Sequence, residues 1–467
     1  MVIAGGGLAG AKAAESLRGW GFDGRIVLVG KEIRRPYDRP PLSKYYLRGE
    51  VDFDDITIHP EAFYRTHEIE LLTDTTVTSL DPAVRRIRLE PGGELTYDRL
   101  LLATGSRPRR LDIPGMTLPG VFYVRDAKDA EGIRGATQAG SRAVVIGTGF
   151  IGTEVAASLR ALGAEVVLVG RSSVPLGRIL GNVVATAVAD LHVTHGVDLR
   201  SGVTVRAVHG STAAQAVELD DGTILPCDLV VVGLGVVPRT ELAEQAGIAV
   251  SDGVLTDDRL RTSAPGVFAA GDVANAVNAA LGVRLRSEHW WSALTQGPVA
   301  AANMAGHEAR YDWIPTFTSE QFRVTIEHTG HAPEWDEVIL RGDRSSGSFV
   351  AFWTRRGAVL AGLTFGVPGM ACHIRSLVAA GWTGGTVDTK ALADAEVDLH
   401  ALAVTAHSNA EEEREVTNQV ESEAHAYPEI DEGLRQWYES CPCCMSQALP
   451  DVKQALDEER AAESMQR

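Results

Sequence analysis

Cysteine is scarce in this chain: five in 467 residues, three of them crowded into Cys441-Pro442-Cys443-Cys444. That scarcity excludes a framework of structural disulfides and points to a reducing, cytoplasmic setting. Long apolar runs are missing too. None reaches the ~18 residues that a membrane-spanning helix needs. The chain opens on an apolar strand at Val2 with no basic and apolar leader before it, so no export signal is expected. Positive charge is short as well. Lys and Arg number 44 against 62 Asp and Glu, and a net −18 argues against nucleic acid as a partner. From Ala403 onward fifteen acids face five bases, which is more than half of that excess.

What the chain does have is a repeat. Val2 to Ala4 reads as a strand, Gly5-Gly6-Gly7-Leu8-Ala9-Gly10 as a turn, Ala11 to Leu17 as a helix and Ile26 to Val29 as a second strand. The pattern returns with a strand at Ala143 to Ile146 and the turn Gly147-Thr148-Gly149-Phe150-Ile151-Gly152. A helix from Thr153 to Leu162 and a strand from Val166 to Val169 complete it. Each turn is a G-x-G-x-x-G in its proper strand–turn–helix context, so two dinucleotide sites are predicted. The first glycine makes the tight turn, the second lets backbone approach a pyrophosphate, and the third lets helix and strand pack. The phosphates then lie on the helix N-terminus, where free N–H groups favour anions. Gly5, Gly7, Ala9 and Gly10 are candidates for the first site; Gly147, Gly149, Ile151 and Gly152 for the second.

The residues after each second strand tell the two sites apart. Lys31-Glu32 follows the first, and a carboxylate there accepts both hydroxyls of an adenosine ribose. After the second the corresponding position is Gly170, followed by Arg171-Ser172-Ser173. A missing acid beside a guanidinium suits a 2′-phosphate, which favours NADPH over NADH.

Three further stretches complete a family pattern: Leu100-Leu101-Leu102-Ala103-Thr104-Gly105, Asp228 to Gly235 (DLVVVGLG), and Thr262 to Asp272 (TSAPGVFAAGD). With both glycine turns, these resemble the FAD-dependent pyridine-nucleotide oxidoreductases, which hold FAD in the first site and NAD(P)H in the second. Pro36-Tyr37-Asp38-Arg39-Pro40-Pro41-Leu42-Ser43-Lys44 resembles the ferredoxin reductase branch, which holds putidaredoxin and rhodocoxin reductases and apoptosis-inducing-factor-like proteins. Disulfide reductases of the superfamily carry a redox cysteine pair in this region, whereas no cysteine precedes Cys227 here.

The resemblance implies roles. Ala9 and Gly10 would line the FAD pyrophosphate, and Glu32 would hold ribose, with Lys31 as the alternative. Arg39, Lys44, Val77, Ala103, Thr104, Gly105, Arg125, Gly271 and Asp272 would contact FAD, Asp272 at the ribityl chain. Trp290, in Ser287-Glu288-His289-Trp290, would lie against the flavin or pack on Trp291. Glu154 would approach the nicotinamide ribose, and Gly235 would serve the second site. Lys44, Glu154 and Trp290 are the residues that the resemblance places nearest the chemistry. Phe317-Thr318-Ser319-Glu320-Gln321 departs from the branch, which usually has Trp where Thr318 stands. The basic groups Arg34-Arg35 and Arg107-Pro108-Arg109-Arg110 are candidate attractants for an acidic ferredoxin.

The fold expected is α/β with two Rossmann-like domains: FAD over 1–112 and 238–312, and NAD(P) over 113–237. An α+β reductase-type domain at 313–402 and an acidic linker with a helical tail at 403–467 follow. Val338 to Asp343 and Phe349 to Trp353 read as neighbouring antiparallel strands, and Ser408 to Val420 as the linker. In the tail, Cys441 and Cys444 form a C-x-x-C. Three readings are open there. It is a redox arm taking electrons from its own flavin or a dimer partner's, a metal site completed by His407 or His425, or an oligomerisation arm with incidental thiols. Cys227 and Cys372 read as small buried residues. The leading function is an NAD(P)H-dependent reductase of a ferredoxin-like iron–sulfur protein. The alternatives are a reductase of a disulfide or other small substrate through Cys441 and Cys444, and a redox-signalling flavoprotein.

Overall fold

The computed structural model describes residues 1–417. Cys441, Cys444 and the tail read around them lie outside the described residues. Two compact bodies are formed, one over Met1–Ile326 and one beginning at Glu327.

The first body is built on two five-stranded parallel sheets of one design. In the first, β1 (Val2–Ala4) and β2 (Ile26–Val29) lie side by side. Ile69–Leu72 flanks β2, and Leu100–Leu102 then Val267–Ala269 extend the sheet beyond β1. In the second, β3 (Arg142–Ile146) pairs with β4 (Glu165–Gly170). Asp198–Ser201 flanks β4, and Leu229–Val232 then Val121–Tyr123 extend it beyond β3. Central parallel strands are covered on both faces and are apolar throughout, whereas an edge strand such as Asp198–Ser201 stays polar and largely exposed. IVLV in β2 and LVVV at Leu229–Val232 obey this, and every residue of both is buried. Each sheet also carries a three-stranded antiparallel excursion, beginning at Thr76–Asp81 in one and Val205–His209 in the other. This is the α/β fold read from the repeat.

Four helices and one more strand position the site. They are α1 (Leu8–Gly19), α2 (Phe150–Ala161), α3 (Gly177–Thr194), α4 (Trp290–Ala305) and β5 (Thr316–Gln321). Both α1 and α2 begin three residues earlier than their apolar pattern suggested. The third glycine of each turn belongs to the helix, because it packs on the backbone of the first. α4 lies tightly on α1: a Cβ on Gly297 would stand 2.5 Å from the Ala9 carbonyl oxygen.

In the second body, Glu337–Asp343, Ser348–Arg355 and Ala358–Phe365 form an antiparallel meander, with the first two paired as expected. The helix Ala371–Trp382 packs on the third strand, where a Cβ on Gly381 would come 2.1 Å from the Val359 carbonyl oxygen. The final described helix, Leu399–Thr417, corrects the linker reading, for Ser408 to Thr417 is helical. Leu399, Ala403, Ala406 and Ala410 recur every three or four residues and are buried, an apolar stripe that the acidic composition concealed. Cys227 and Cys372 are buried, and burial pushes the Cys227 thiol up to about 11. Among the described residues no helix is long and apolar enough to cross a membrane.

Candidate functional site

The two glycine turns are built alike. Gly5 and Gly147 hold φ at 138° and 115°. A Cβ there would lie 1.9 Å from the Ala103 carbonyl oxygen or 2.3 Å from that of Gly233, so a side chain is excluded by both strain and space. Gly10 and Gly152 face inward, where a Cβ would come 2.0 Å and 1.8 Å from the carbonyl oxygens of Gly5 and Gly147. Gly10 is therefore a packing glycine rather than part of the cavity wall expected of it. Gly7 and Gly149 differ: nothing lies within 4 Å of where their Cβ would point. They cap α1 and α2, which have no capping side chain and no acid in the first turn. Open space before an uncapped helix start is what a pyrophosphate requires.

Backbone hydrogen bonds align the two units. Gly5 N donates to Val29 O and Gly147 N to Val169 O, both at 2.8 Å. Gly30 thus matches Gly170, Lys31 matches Arg171, and Glu32 matches Ser172. In strand register the partner of Glu32 is Ser172, not Gly170. Gly170 has its own reason, for a Cβ there would meet the Thr148 side chain at 2.3 Å. Arg171 is exposed, and among the described residues no ion pair or hydrogen bond of its side chain is found.

A cavity of about 1050 Å³ opens in front of the first turn. Its volume stands at the upper end of the ~300–1,000 Å³ usual for small-molecule and cofactor pockets. Gly5, Gly7, Ala9, Glu32, Arg39, Lys44, Val77, Ala103, Thr104, Gly105, Arg125, Gly271, Asp272 and Trp290 line it, as do Ile151 and Glu154 from the second turn. Gly147, Gly149, Gly152, Arg171 and Gly235 do not; they belong to the second sheet's own crest.

Just beyond β2, Glu32 accepts from the Tyr37 hydroxyl at 2.5 Å and from Arg39 Nη2 at 2.7 Å. Burial works to raise its pKa, but Arg39 and Tyr37 outweigh that and keep the carboxylate ionised. Each oxygen retains lone pairs for a diol. Lys31, the alternative, is exposed. Further along, Asp272 accepts from Ser106 Oγ at 2.6 Å and Arg125 Nη2 at 3.2 Å. Burial first, then the neighbouring Arg39, hold the Arg125 guanidinium below its ordinary value.

The structure joins two residues that the sequence had placed near the chemistry separately. Lys44 Nζ lies 2.8 Å from Glu154 Oε2, with the side chains 8% and 4% exposed. A buried charge pair persists only when its remaining hydrogen-bond capacity is filled. Here Ser43 Oγ donates to Glu154 Oε2 at 2.5 Å and Ser319 Oγ to Oε1 at 2.7 Å. Ser158 Oγ on α2 donates to the Ser43 carbonyl at 2.6 Å and fixes the Lys44 segment to that helix. Glu154 is thus not the exposed helical residue that a pattern alone allows.

The aromatic side of the cavity is equally ordered. Trp290 Nε1 donates to Asp38 Oδ1 at 2.5 Å, and its ring stands edge-on to Trp291 at 4.9 Å. Trp291, not Trp290, stacks on Trp313 in the packing role. His289 stacks on Phe317 at 4.9 Å, and burial pulls its imidazole down to about 4, so it is neutral near pH 7. Tyr45 bonds Glu320 beside the exposed Thr318. Asp38, Tyr37, His289 and Phe317 were missed as site residues. All four lie inside quoted stretches, but only the fold shows which way they face.

Known proteins place this geometry. Residues 1–297 match the family model described as pyridine nucleotide-disulphide oxidoreductase, and residues 316–403 match one described as reductase C-terminal. A probable ferredoxin reductase, CtmF, of Castellaniella defragrans is 37% identical over 417 residues, covering 86% of this chain and 98% of its own. Rhodocoxin reductase of Rhodococcus erythropolis is 38% identical over 353 residues, 75% of this chain and 83% of its own. Among solved structures, the covalent putidaredoxin reductase–putidaredoxin complex aligns at a TM-score of 0.83 and 34% identity. That alignment covers 87% of this chain and 98% of that one.

Proposed function

The chain belongs to the pyridine nucleotide-disulphide oxidoreductase family, and from that premise we propose an NAD(P)H-dependent flavoprotein reductase that passes electrons through FAD to a ferredoxin-like iron–sulfur protein. The observation that carries the proposal is a single cavity walled by the first glycine turn, by the Lys44–Glu154 pair and by Ile151 of the second turn. One carrier seated on the first unit is thereby open to a second carrier seated on the other.

The residues present fit FAD. With FAD bound, the open space before Gly7 would receive its pyrophosphate, ionised Glu32 its adenosine ribose diol, and Asp272 with Arg125 its ribityl chain. Bound there, FAD supplies the redox chemistry, taking electrons in pairs from reduced nicotinamide and giving them up singly. The chain positions and insulates. Glu154 fixes the Lys44 ammonium at the cavity wall, where a cation favours added negative charge. Asp38 holds Trp290, and neutral His289 on Phe317 adds a wall without charge. Hydride transfer itself requires no side chain to move a proton.

Ser172 in the register of Glu32, next to exposed Arg171, favours NADPH as donor. We assign 1–112 and 238–312 to FAD, 113–237 to the nicotinamide, 313–402 to the reductase-type domain and 403–467 to the tail. Cysteine scarcity supports a cytoplasmic location. Purified protein should be yellow, be bleached by NADPH under anaerobic conditions, and be reoxidised by an added [2Fe–2S] ferredoxin. Protein that takes up no FAD, or a bleached flavin that no iron–sulfur protein reoxidises, would overturn the reading.

A further inference from the structure

Behind Glu154 a buried polar chain runs away from the cavity. Gln321 Nε2 lies 2.9 Å from Thr153 Oγ1 and 3.1 Å from Ser319 Oγ, and Gln321 Oε1 lies 2.8 Å from His192 Nε2. Ser319, Gln321, Thr153 and His192 are all 1% exposed or less. His192 comes from α3, Gln321 and Ser319 from β5, and Thr153 and Glu154 from α2.

The proton positions follow by elimination. Ser319 Oγ has one hydrogen, and Glu154 Oε1, an acceptor, takes it. Thr153 Oγ1 has one hydrogen, and it goes back to the Gly149 or Phe150 carbonyl of its own helix. Both hydroxyls must therefore accept from Gln321, which places its amide nitrogen toward them and its Oε1 toward His192. Two acceptors cannot bond, so His192 Nε2 carries the hydrogen. His192 Nδ1 is then the bare nitrogen, and it has no hydrogen-bond partner. Burial depresses the His192 pKa to about 4 and keeps the ring neutral. A histidine kept for packing alone has no need of this arrangement; its buried bare nitrogen is tolerated because the other nitrogen must donate.

We propose that His192 and Gln321 are positioning residues for Glu154. Every hydrogen in the chain His192 to Gln321 to Ser319 points toward the carboxylate, and each donor polarises the next. The chain holds Oε1 so that Oε2 faces Lys44. Without the His192 donor, the Gln321 amide is free to turn over. Its oxygen then draws the Ser319 hydrogen away from Glu154, and the carboxylate loses a donor that favours its charged form. The charged groups around Glu154 are Lys44 in contact, Arg48 at 3.3 Å from Ser158 Oγ, and Glu320 bonded to Tyr45 on the far side of β5. Facing His192 across Phe322 is His195.

The inference rests on the flavoprotein reductase reading, and its test separates the two. In 15N-histidine-labelled apoprotein, the resonance missing from H192F should report a neutral Nε2–H tautomer down to pH 5. An Nδ1–H tautomer, or a charged ring at pH 6, overturns the relay whatever the enzyme does. In the FAD-loaded protein, H192F should slow flavin reduction about tenfold at pH 7, the worth of one hydrogen bond to a charged group. The nicotinamide KM should stay within about twofold. H192Q, which places an amide donor where Nε2 was, should recover most of the rate. Equal rates for H192F and the parent, or no recovery in H192Q with both variants folded, defeat the proposal. Failure of the parent protein to bind FAD defeats the underlying reading instead.

Discussion

The two nucleotide units of the first body share a sheet order and a glycine turn yet present different surfaces to a ligand. The first unit follows β2 with Glu32, held ionised by Tyr37 and Arg39. The second follows β4 with Arg171 and the uncharged Ser172. The first opens into a cavity of about 1050 Å³, while the second contributes to that wall the start of α2 and, after the strand Val121–Tyr123, Arg125 and Asp126. The scaffold is therefore common property, and identity is written in the few residues after the second strand. A unit that encloses its carrier keeps it, and one that offers a crest lets its carrier come and go.

Glycine exchange tests this division most severely. Gly5→Ala sets a Cβ 1.9 Å from a backbone oxygen at positive φ, and should abolish FAD retention and cost more than about 3 kcal/mol of stability. Gly147→Ala should leave the protein yellow but unable to be bleached by NADPH; a colourless Gly147→Ala protein would break the comparison. Next in size is Glu154→Gln. It strands the buried Lys44 ammonium, and flavin reduction measured by stopped flow should fall about a hundredfold with FAD still bound. Swapping the discriminating side chains should have smaller effects. Glu32→Ser should weaken FAD binding about tenfold by calorimetry, and Arg171→Ala should cut the NADPH-to-NADH ratio of kcat/KM by about the same factor.

Acid should expose a milder contrast. The folded pKa of His192 is depressed to about 4 from an unfolded value near 6.5, so the unfolded chain binds the proton first. Stability should therefore fall by up to about 1.4 kcal/mol for each unit as pH drops from 6.5 toward 4. Glu15, bonded to His59 and Lys12, is held at about 2 against a burial effect that raises it. Its contribution is full above about 4.5 and lost as pH falls toward 2. Urea titrations of H192F should show a shallower slope in the upper window and the parent's slope in the lower. The smallest change is expected from Cys441→Ser with Cys444→Ser, where ferredoxin-linked turnover should stay within about twofold. Loss of turnover with the flavin still reduced would reopen the thiol-arm reading.

Much of this was legible in the chain. Gly5 to Gly10 and Gly147 to Gly152 announce themselves because local geometry forces glycine there. The central apolar strands announce themselves because both their faces are covered. Lys44 and Glu154 were each legible through the family pattern, but their pairing was not, since a contact across 110 positions leaves no periodicity. His192 and Gln321 left still less, for neither residue type is unusual where it stands. The Gly170 alignment slipped by two positions because strand register is a property of hydrogen bonds, not of spacing. The helix through Thr417 was hidden by composition, as its stripe of small alanines is too weakly apolar to stand out among acids.

The strand Val267–Ala269 completes the first sheet by pairing with Leu100–Leu102. On the ribosome that strand emerges only after the whole second sheet has been synthesised. The second sheet, with all five strands inside residues 121–232, is complete first. A nascent chain stalled before residue 267 therefore holds its second sheet finished and its first sheet open along one edge.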